Sequence, residues 1–241
     1  MIFIFKEIDD IKIYYEEYGR GKDVVLFHGW GASKNTFKSL AKSLEENYHV
    51  ITIDLPGFGE TTITKPLMLL DVVKLLHHFL MSLEVDNPIL LGHSYGGRLA
   101  MIYASLYKVD KLVLVSAAGL KEKLKLDKWL KIKIYKLFKR YSITLKMGST
   151  DFKNSDEIKK KMLVEAVNND LSNYLDNIST PTLLIYGRND SVTSLPLARK
   201  INDKIKTSSL VVMEGSGHFP YLEEPTIFGL ILNSFLAGDE H

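Results

Sequence analysis

The chain contains no cysteine and no run of eighteen apolar residues, and these absences narrow its chemistry before any motif is considered. Without cysteine there can be no disulfide, no thiolate metal site and no cysteine nucleophile, and a reducing, cytoplasmic setting is expected. The apolar residues 1–5 are followed directly by charged residues and are too short for the core of a signal peptide. The net charge is only +2, and no nucleic-acid-binding motif accompanies it, so nucleic acid is not expected as a partner.

The chain is long and apolar enough to bury one substantial core, since 46% of its 241 residues are hydrophobic. Short β-rich apolar runs alternate with segments of helical periodicity, which predicts a mainly parallel sheet with helices on both faces. Strands are predicted at residues 3–8, 11–18, 24–27, 50–54, 89–91, 112–115, 182–186 and 210–213, the first two as an antiparallel hairpin, and helices at 34–46, 67–83, 98–107, from 197 onward and at 225–236. In such a fold the functional site lies at the carboxyl ends of the strands.

The most informative segment is Gly-His-Ser-Tyr-Gly at residues 92–96, which lies between a predicted strand and a predicted helix. A nucleophile elbow requires this context, because glycines permit both the sharp turn and the close approach of the helix to the strand. Ser94 would then be presented at the top of the sheet, beside the N-terminal amides of the helix. The same pattern also occurs in ordinary turns, so the other loops at this edge decide the interpretation.

A serine hydroxyl needs a base to remove its proton and an acid to hold that base in one tautomer. Two later loops supply both, since Asp190 follows the strand at 182–186 and His218 follows the strand at 210–213. Taken alone, Asp190 could be a turn residue and His218 a polar residue at a helix start. Together with Ser94 they occur in the order Ser, Asp, His at one edge of the sheet, which predicts a catalytic triad.

Other candidates for the acid and base roles are weaker. Asp54 also ends a strand, but it precedes the elbow in the sequence and is interpreted as structural. His77 and His78 lie within an apolar helix, where a core or partly exposed position explains them. His93 lies inside the elbow, where its side chain should point away from the Ser94 hydroxyl.

His-Gly-Trp-Gly at residues 28–31 follows another strand and offers an oxyanion hole. A tetrahedral intermediate needs two donors, and the amides of Trp30 and Tyr95 are the candidates. Glycines flank Trp30 and let its backbone fold toward the site, while Tyr95 directly follows the nucleophile. The rings of the same two residues are candidate walls of the substrate pocket. Plain core packing is the alternative explanation for Trp30.

These segments together resemble the α/β-hydrolase superfamily, in its carboxylesterase-like branch, with a more distant similarity to the pimeloyl-carrier-protein methyl ester esterases. The resemblance rests on residues 28–31, 54–59, 92–97, 187–190 and 217–218, which are spread over nearly the whole chain. It implies an eight-stranded, mostly parallel sheet and a serine hydrolase mechanism without a metal or an organic cofactor. Glu60 departs from the small residue or serine that is common at its position, and the sequence offers no reason for it.

Residues 119–180 interrupt the alternation of strands and helices between two core segments, 1–118 and 181–241. The resemblance implies that this insertion forms a helical lid over the site. Within it, residues 121–140 carry nine basic and two acidic side chains, and apolar positions recur at helical spacing, which predicts a basic amphipathic helix. Three interpretations of its basic face stay open. The face is solvated, it docks an acidic partner such as an acyl carrier protein, or it contacts an anionic membrane surface.

The leading functional prediction is a serine hydrolase that cleaves a carboxylic ester of an apolar or acyl-chain substrate. An apolar lid over Trp30 and Tyr95, with Trp129 and Met147 as further candidate liners, favours such a small-molecule ester over a sugar or a phosphate. Three alternatives on the same fold stay open. They are a hydrolase of carbon–carbon bonds in vinylogous diketones, a thioesterase acting on a carrier-bound acyl group, and a non-catalytic binding protein.

Overall fold

The computed structural model of the protein describes residues 4–120 and 152–238, with residues 152–156 described by their backbone alone. Within these ranges a single sheet runs in the order β1-β2-β4-β3-β5-β6-β7-β8. Its strands are β1 (Ile4–Ile8), β2 (Ile11–Tyr18), β3 (Lys22–Phe27), β4 (Tyr48–Ile53), β5 (Ile89–His93), β6 (Lys111–Val115), β7 (Thr182–Gly187) and β8 (Ser208–Met213). Strand β2 pairs antiparallel with β1 and with β4, and every other pairing is parallel. The predicted eight-stranded, mostly parallel sheet and its opening hairpin are confirmed.

Helices pack on both faces of the sheet, as predicted. In chain order the described helices are α1 (Lys38–Leu44), α2 (Leu69–Ser82), α3 (Tyr95–Leu106), α4 (Phe152–Asn168), α5 (Ser172–Leu175), α6 (Leu195–Lys204), α7 (Pro220–Glu223) and α8 (Pro225–Leu236). The central strand β3 shows the two layers, because Val25 and Phe27 join the core with α2, α3 and α6, while Val24 and Leu26 join the core with α1 and α8. A strand buried on both faces reads as a continuous apolar run, which explains the sequence pattern.

The helix predicted over residues 34–46 is divided in the structure. A 3₁₀ turn covers Lys34–Phe37, and α1 then ends at Leu44. The backbone N–H of Lys34 donates to the Asp54 carboxylate at 2.7 Å, so the first turn is held by a residue on a neighbouring loop. This long-range contact has no signature in the local periodicity.

The predicted lid is described only in part. Helices α4 and α5 lie within residues 119–180, and the N–H of Leu171 donates to the carbonyl of Gly119 at 3.0 Å. The segment after α4 therefore returns to the first residue of the insertion. The basic helix predicted over residues 121–140, with Trp129 and Met147, lies outside the described residues. Over the part of the chain that is described, no helix has the length and apolar character needed to cross a membrane.

Candidate active site

The elbow between β5 and α3 holds Ser94 in a strained backbone conformation, with φ 51° and ψ −108°. A positive φ is rare outside glycine, and strain of this kind persists only where surrounding contacts enforce it. The Ser94 N–H donates to the carbonyl of Val115 at 3.0 Å, which fastens the elbow to the neighbouring strand. A Cβ on Gly96 would lie 2.1 Å from the carbonyl oxygen of Phe27, so only glycine lets α3 approach the sheet this closely. The predicted strand–turn–helix context of Ser94 is present.

His218 and Asp190 form a hydrogen-bonded pair at the ends of β8 and β7. The Nδ1 of His218 lies 2.8 Å from Oδ2 of Asp190, and the two side chains are 6% and 0% exposed. The other carboxylate oxygen of Asp190 accepts the N–H groups of Val192 and Thr193 at 2.7 and 3.0 Å. The Thr193 hydroxyl also donates to Asp190. The sequence separated these two residues by 28 positions, and the parallel sheet brings them together.

The surroundings of Asp190 keep it ionised. Burial acts to raise the pKa of Asp190, but the charge and hydrogen bond of His218 and the hydrogen bonds of Thr193 outweigh it, and the pKa falls to about 2. An ionised carboxylate can only accept hydrogen bonds, so the Nδ1 of His218 carries a proton. The Nε2 of His218 is then left unprotonated in the neutral ring, which is the state that a general base requires.

The loop at residues 28–31 lies over the elbow. His28 is fully buried, and its Nε2 accepts the N–H of Leu55 at 3.1 Å, so its Nδ1 carries the proton and donates to the carbonyl of Gly29 at 2.8 Å. The N–H of Ala32 closes a turn onto the same carbonyl at 3.1 Å, with Gly31 at φ 74°. A Cβ on Gly29 would lie 3.5 Å from the Cβ of Ser94. The backbone beside Trp30 therefore runs within contact distance of the nucleophile position.

The two amides predicted to form the oxyanion hole lie on the loop at residues 28–31 and at the start of α3. Tyr95 is the first residue of α3, so its N–H has no acceptor within the helix. Trp30 occupies the second position of the turn closed by Ala32, and its N–H takes no part in the hydrogen bond that closes this turn. Helix α3 begins at Tyr95, so the positive end of its dipole lies beside this amide and favours negative charge next to it.

Three aromatic rings meet beside the elbow. The ring of Trp30 lies 4.8 Å from that of Phe58 and 5.1 Å from that of Tyr95, both edge to face. Lys159 of α4 places its ammonium group 5.6 Å from the centre of the Phe58 ring. The sequence analysis singled out Trp30 and Tyr95 but not the buried Phe58, although the Gly residues on either side of it mark a turn after a strand end. The three rings form an apolar wall, and α4, which lies within the predicted lid, contacts this wall through Lys159.

Asp54, the rival acid, is engaged in a buried ionic network. Its carboxylate accepts the backbone N–H of Lys34 at 2.7 Å, the Lys34 ammonium at 2.9 Å and the N–H of Glu60 at 3.0 Å. The Lys34 ammonium also contacts the Glu60 carboxylate at 2.6 Å. Burial acts to lower the pKa of Lys34, but the hydrogen bonds and charges of Glu60 and Asp54 outweigh it and raise the pKa. Glu60, for which the sequence offered no reason, is therefore the second carboxylate that contacts the buried Lys34 ammonium. The network joins the loops at residues 28–36 and 54–60.

Replacing Lys34 with methionine is expected to lower the free energy of unfolding by about 3 kcal/mol, since it leaves Asp54 as a buried charge without its cationic partner. Glu60→Gln is the matched control, because Glu60 is 36% exposed and its loss should cost at most about 1 kcal/mol. Urea denaturation followed by circular dichroism measures both. Equal losses in the two variants would contradict the assignment of Asp54 and Lys34 as the buried pair.

No cluster of three or more histidine, aspartate or glutamate side chains suited to a metal ion occurs in residues 4–120 or 157–238. The remaining sequence candidates for a base lie elsewhere. His77 stacks on Tyr107 at 3.7 Å and contacts the hydroxyl of Tyr103 at 3.1 Å, while His78 lies 3.4 Å from Asp9. These contacts join α2 to the α3 segment and to the turn between β1 and β2.

Comparison with known proteins agrees with the observed fold. A sequence model of the alpha/beta hydrolase fold matches residues 23–146 and 144–225. Monoacylglycerol lipase ABHD6 of Mus musculus is 28% identical over 91% of this chain and 77% of its own length. The pimeloyl-[acyl-carrier protein] methyl ester esterase of Vibrio campbellii is 25% identical over 93% of this chain and 98% of its own. An esterase structure from Exiguobacterium antarcticum superposes with a TM-score of 0.82 at 25% identity, covering 98% of this chain and 99% of that one.

The family model matches most of the chain. The matched residues include the parallel strands of the sheet, the elbow and the loops that carry the candidate residues. These three proteins are named as a lipase or as esterases, which supports hydrolase activity for this chain. The chain belongs to the α/β-hydrolase fold family.

Proposed function

We propose that the protein is a serine carboxylesterase that forms an acyl-enzyme on Ser94. The observation that carries this proposal is the buried pair of His218 and Asp190, 2.8 Å apart, at the same sheet edge as the strained Ser94 elbow. An acid and a base with this geometry serve to activate a hydroxyl nucleophile. The ester-hydrolysing relatives support the same reaction type.

The reaction proceeds in two halves. The Ser94 hydroxyl oxygen attacks the ester carbonyl while Nε2 of His218 takes its proton, and the tetrahedral oxyanion accepts the N–H groups of Trp30 and Tyr95. The carbon–oxygen bond to the alcohol then breaks, and the alcohol leaves with the proton from His218. Water attacks the acyl-enzyme by the same route in reverse and releases the acid and free Ser94. Asp190 remains ionised throughout and stabilises the positive charge that His218 carries.

The substrate is an ester with an apolar acyl or alcohol group. The rings of Trp30, Phe58 and Tyr95 form an apolar wall at the nucleophile, and such a wall favours hydrocarbon over sugar or phosphate. Trp129 and Met147 remain candidate liners from the lid. Cytoplasmic location and the boundaries of the lid at residues 119–180 remain sequence predictions.

Hydrolysis of p-nitrophenyl esters from C2 to C12 tests this function. We expect turnover that depends on Ser94, with kcat/KM rising over the short chains because each buried methylene contributes up to about 0.8 kcal/mol, and falling once the chain outgrows the pocket. The Ser94→Ala variant is the control for background hydrolysis. Turnover that is equal in the wild type and this variant across the whole series would contradict the proposal.

A carrier-bound acyl group is the second candidate substrate, because relatives from Vibrio act on a pimeloyl-[acyl-carrier protein] methyl ester and residues 121–140 are strongly basic. Binding of an acidic carrier protein through basic side chains should weaken steeply with ionic strength, whereas turnover of a small neutral ester should not. Kinetics on both substrate types between low and high salt separate the two. A salt-independent KM for the carrier-bound ester would count against docking through the basic segment.

A further inference from the structure

His93, the residue before the candidate nucleophile, lies where three loops of the site meet. It ends β5 and is fully buried. Its ring centre is 4.9 Å from that of His218, 4.8 Å from that of Phe219 and 5.2 Å from that of Tyr221. The side chain therefore extends from the elbow toward the loop that carries His218.

The ring of His93 is hydrogen-bonded to the backbone of the base itself. Its Nε2 lies 2.8 Å from the carbonyl oxygen of His218. A carbonyl oxygen only accepts, so the proton resides on Nε2 and Nδ1 is unprotonated. Burial lowers the pKa of His93 well below its ordinary value, which keeps the ring in this neutral form.

The other ring nitrogen of His93, Nδ1, faces the loop at residues 28–31. A Cβ on Gly29 would lie 2.7 Å from the Nδ1 of His93, so the Gly29 backbone rests directly against the ring. Nδ1 is buried and has no hydrogen-bond partner among the described residues. The His93 side chain thus contacts the backbone of the loop at residues 28–31 and the backbone of the loop that carries His218. Its own backbone is bonded to that of Ser94.

The base loop has few other connections to the elbow. The N–H groups of Gly217 and Phe219 donate to the Glu223 carboxylate at 2.6 and 3.0 Å, and Ser216 bonds to Glu224. These contacts connect the loop to the segment that follows it in the chain. The loop of residues 214–219 is also joined to the Asp190 loop, since the N–H of Asn189 donates to the carbonyl of Ser216 at 2.9 Å and His218 bonds to Asp190. The bond from His93 adds a direct connection between this loop and the elbow.

We propose that His93 is a positioning residue, which sets the distance between Ser94 and His218 through its hydrogen bond to the His218 carbonyl. This inference rests on the proposed function, since it assigns His93 a role in the reaction of Ser94. Displacement of a catalytic group by about 1 Å can cost about 100-fold in rate. Loss of this bond would also leave the buried carbonyl of His218 without its partner.

The test uses a series of variants at this one position. His93→Gln keeps an N–H donor at the distance of Nε2, His93→Asn carries the same amide one carbon shorter, and His93→Leu has no donor. We expect kcat for a p-nitrophenyl ester to fall about 30- to 100-fold in the Leu and Asn variants, with KM changed less than about threefold. The Gln variant should stay within about fivefold of the wild type. Should the Leu or the Asn variant fail to fold, the other still gives the comparison with Gln; should the Gln variant fail to fold, an unchanged kcat in the Leu or the Asn variant would still overturn the inference.

A second measurement follows the base directly. The proton shared by His218 and Asp190 should give a downfield ¹H NMR signal, and we expect it to shift or broaden in the Leu and Asn variants but not in the Gln variant. Equal kcat and unchanged signals in all three folded variants would overturn the inference, as would equal loss in all three. Absence of Ser94-dependent turnover in the wild type would instead overturn the proposed function, and the NMR comparison would still report on His93.

Discussion

Replacing Ser94 with alanine is expected to lower kcat for the best p-nitrophenyl ester by about 10⁶-fold, because no other group can form the acyl-enzyme. The residual rate above water reflects the oxyanion donors and substrate binding, which alanine leaves in place. Steady-state kinetics with freshly purified variant measure the loss, and circular dichroism verifies the fold. A variant that keeps more than about a hundredth of the wild-type kcat would contradict the nucleophile assignment.

The strained backbone conformation of residue 94 should lower the stability of the folded protein. Alanine adopts φ 51° no more easily than serine does, whereas glycine adopts it readily. Ser94→Gly is therefore expected to be more stable than Ser94→Ala by about 1 kcal/mol, while both variants are inactive. Urea denaturation of the two variants measures the difference. If Ser94→Ala were the more stable variant, the strain at this position would be unrelated to its φ angle.

Replacing Asp190 with asparagine is expected to lower kcat about 10⁴-fold, because the amide would reverse the tautomer of His218. The N–H groups of Val192 and Thr193 hold one carboxylate oxygen at 2.7 and 3.0 Å, so the amide oxygen of asparagine would take this position. Its NH₂ group would then face Nδ1 of His218 and donate to it. The proton of the ring would move to Nε2, where it blocks acceptance of the Ser94 proton.

Thr193→Val is the matched control for this change. It removes the hydroxyl that donates to Asp190 but leaves the carboxylate and the histidine tautomer, so the loss in kcat should be far smaller than for Asp190→Asn. Kinetics and melting temperatures of both variants give the comparison. A loss in Asp190→Asn within tenfold of the wild type, with the fold intact, would place the acid of the site elsewhere.

The pH dependence follows from the pKa of Asp190. Because this pKa is lowered to about 2 in the folded protein from an ordinary value of 3.8, the stabilisation it provides is complete above about pH 4 and is lost as the pH falls toward 2. Asp190 should therefore stay ionised above about pH 4, so a loss of activity in that range would not report its protonation. Denaturation of wild type and Asp190→Asn between pH 5 and pH 2 measures the difference, which should shrink as the pH falls.

Local patterns in the sequence were sufficient to predict the sheet and the elbow, and they singled out Ser94, Asp190 and His218 as the candidate triad. Alternating and continuous apolar runs report which faces of a strand are buried, and glycines at residues 92 and 96 mark a turn that another residue type would obstruct. Residues that follow the ends of parallel strands lie at one edge of the sheet, which is why the sequence predicted that these three residues lie near one another. Of the three, the structure shows Asp190 and His218 in direct contact.

Contacts between distant segments were decided only by the tertiary structure. The buried network of Lys34, Asp54 and Glu60, the ring of Phe58 beside Trp30, and the contact of His93 with a carbonyl 125 residues away all join separate loops. Which loops meet depends on the strand order and on the distances between side chains, and neither is encoded in local periodicity. The protonation states of His28, His93 and His218 depend on the same contacts, because each is set by the acceptor or donor that the fold places against one ring nitrogen.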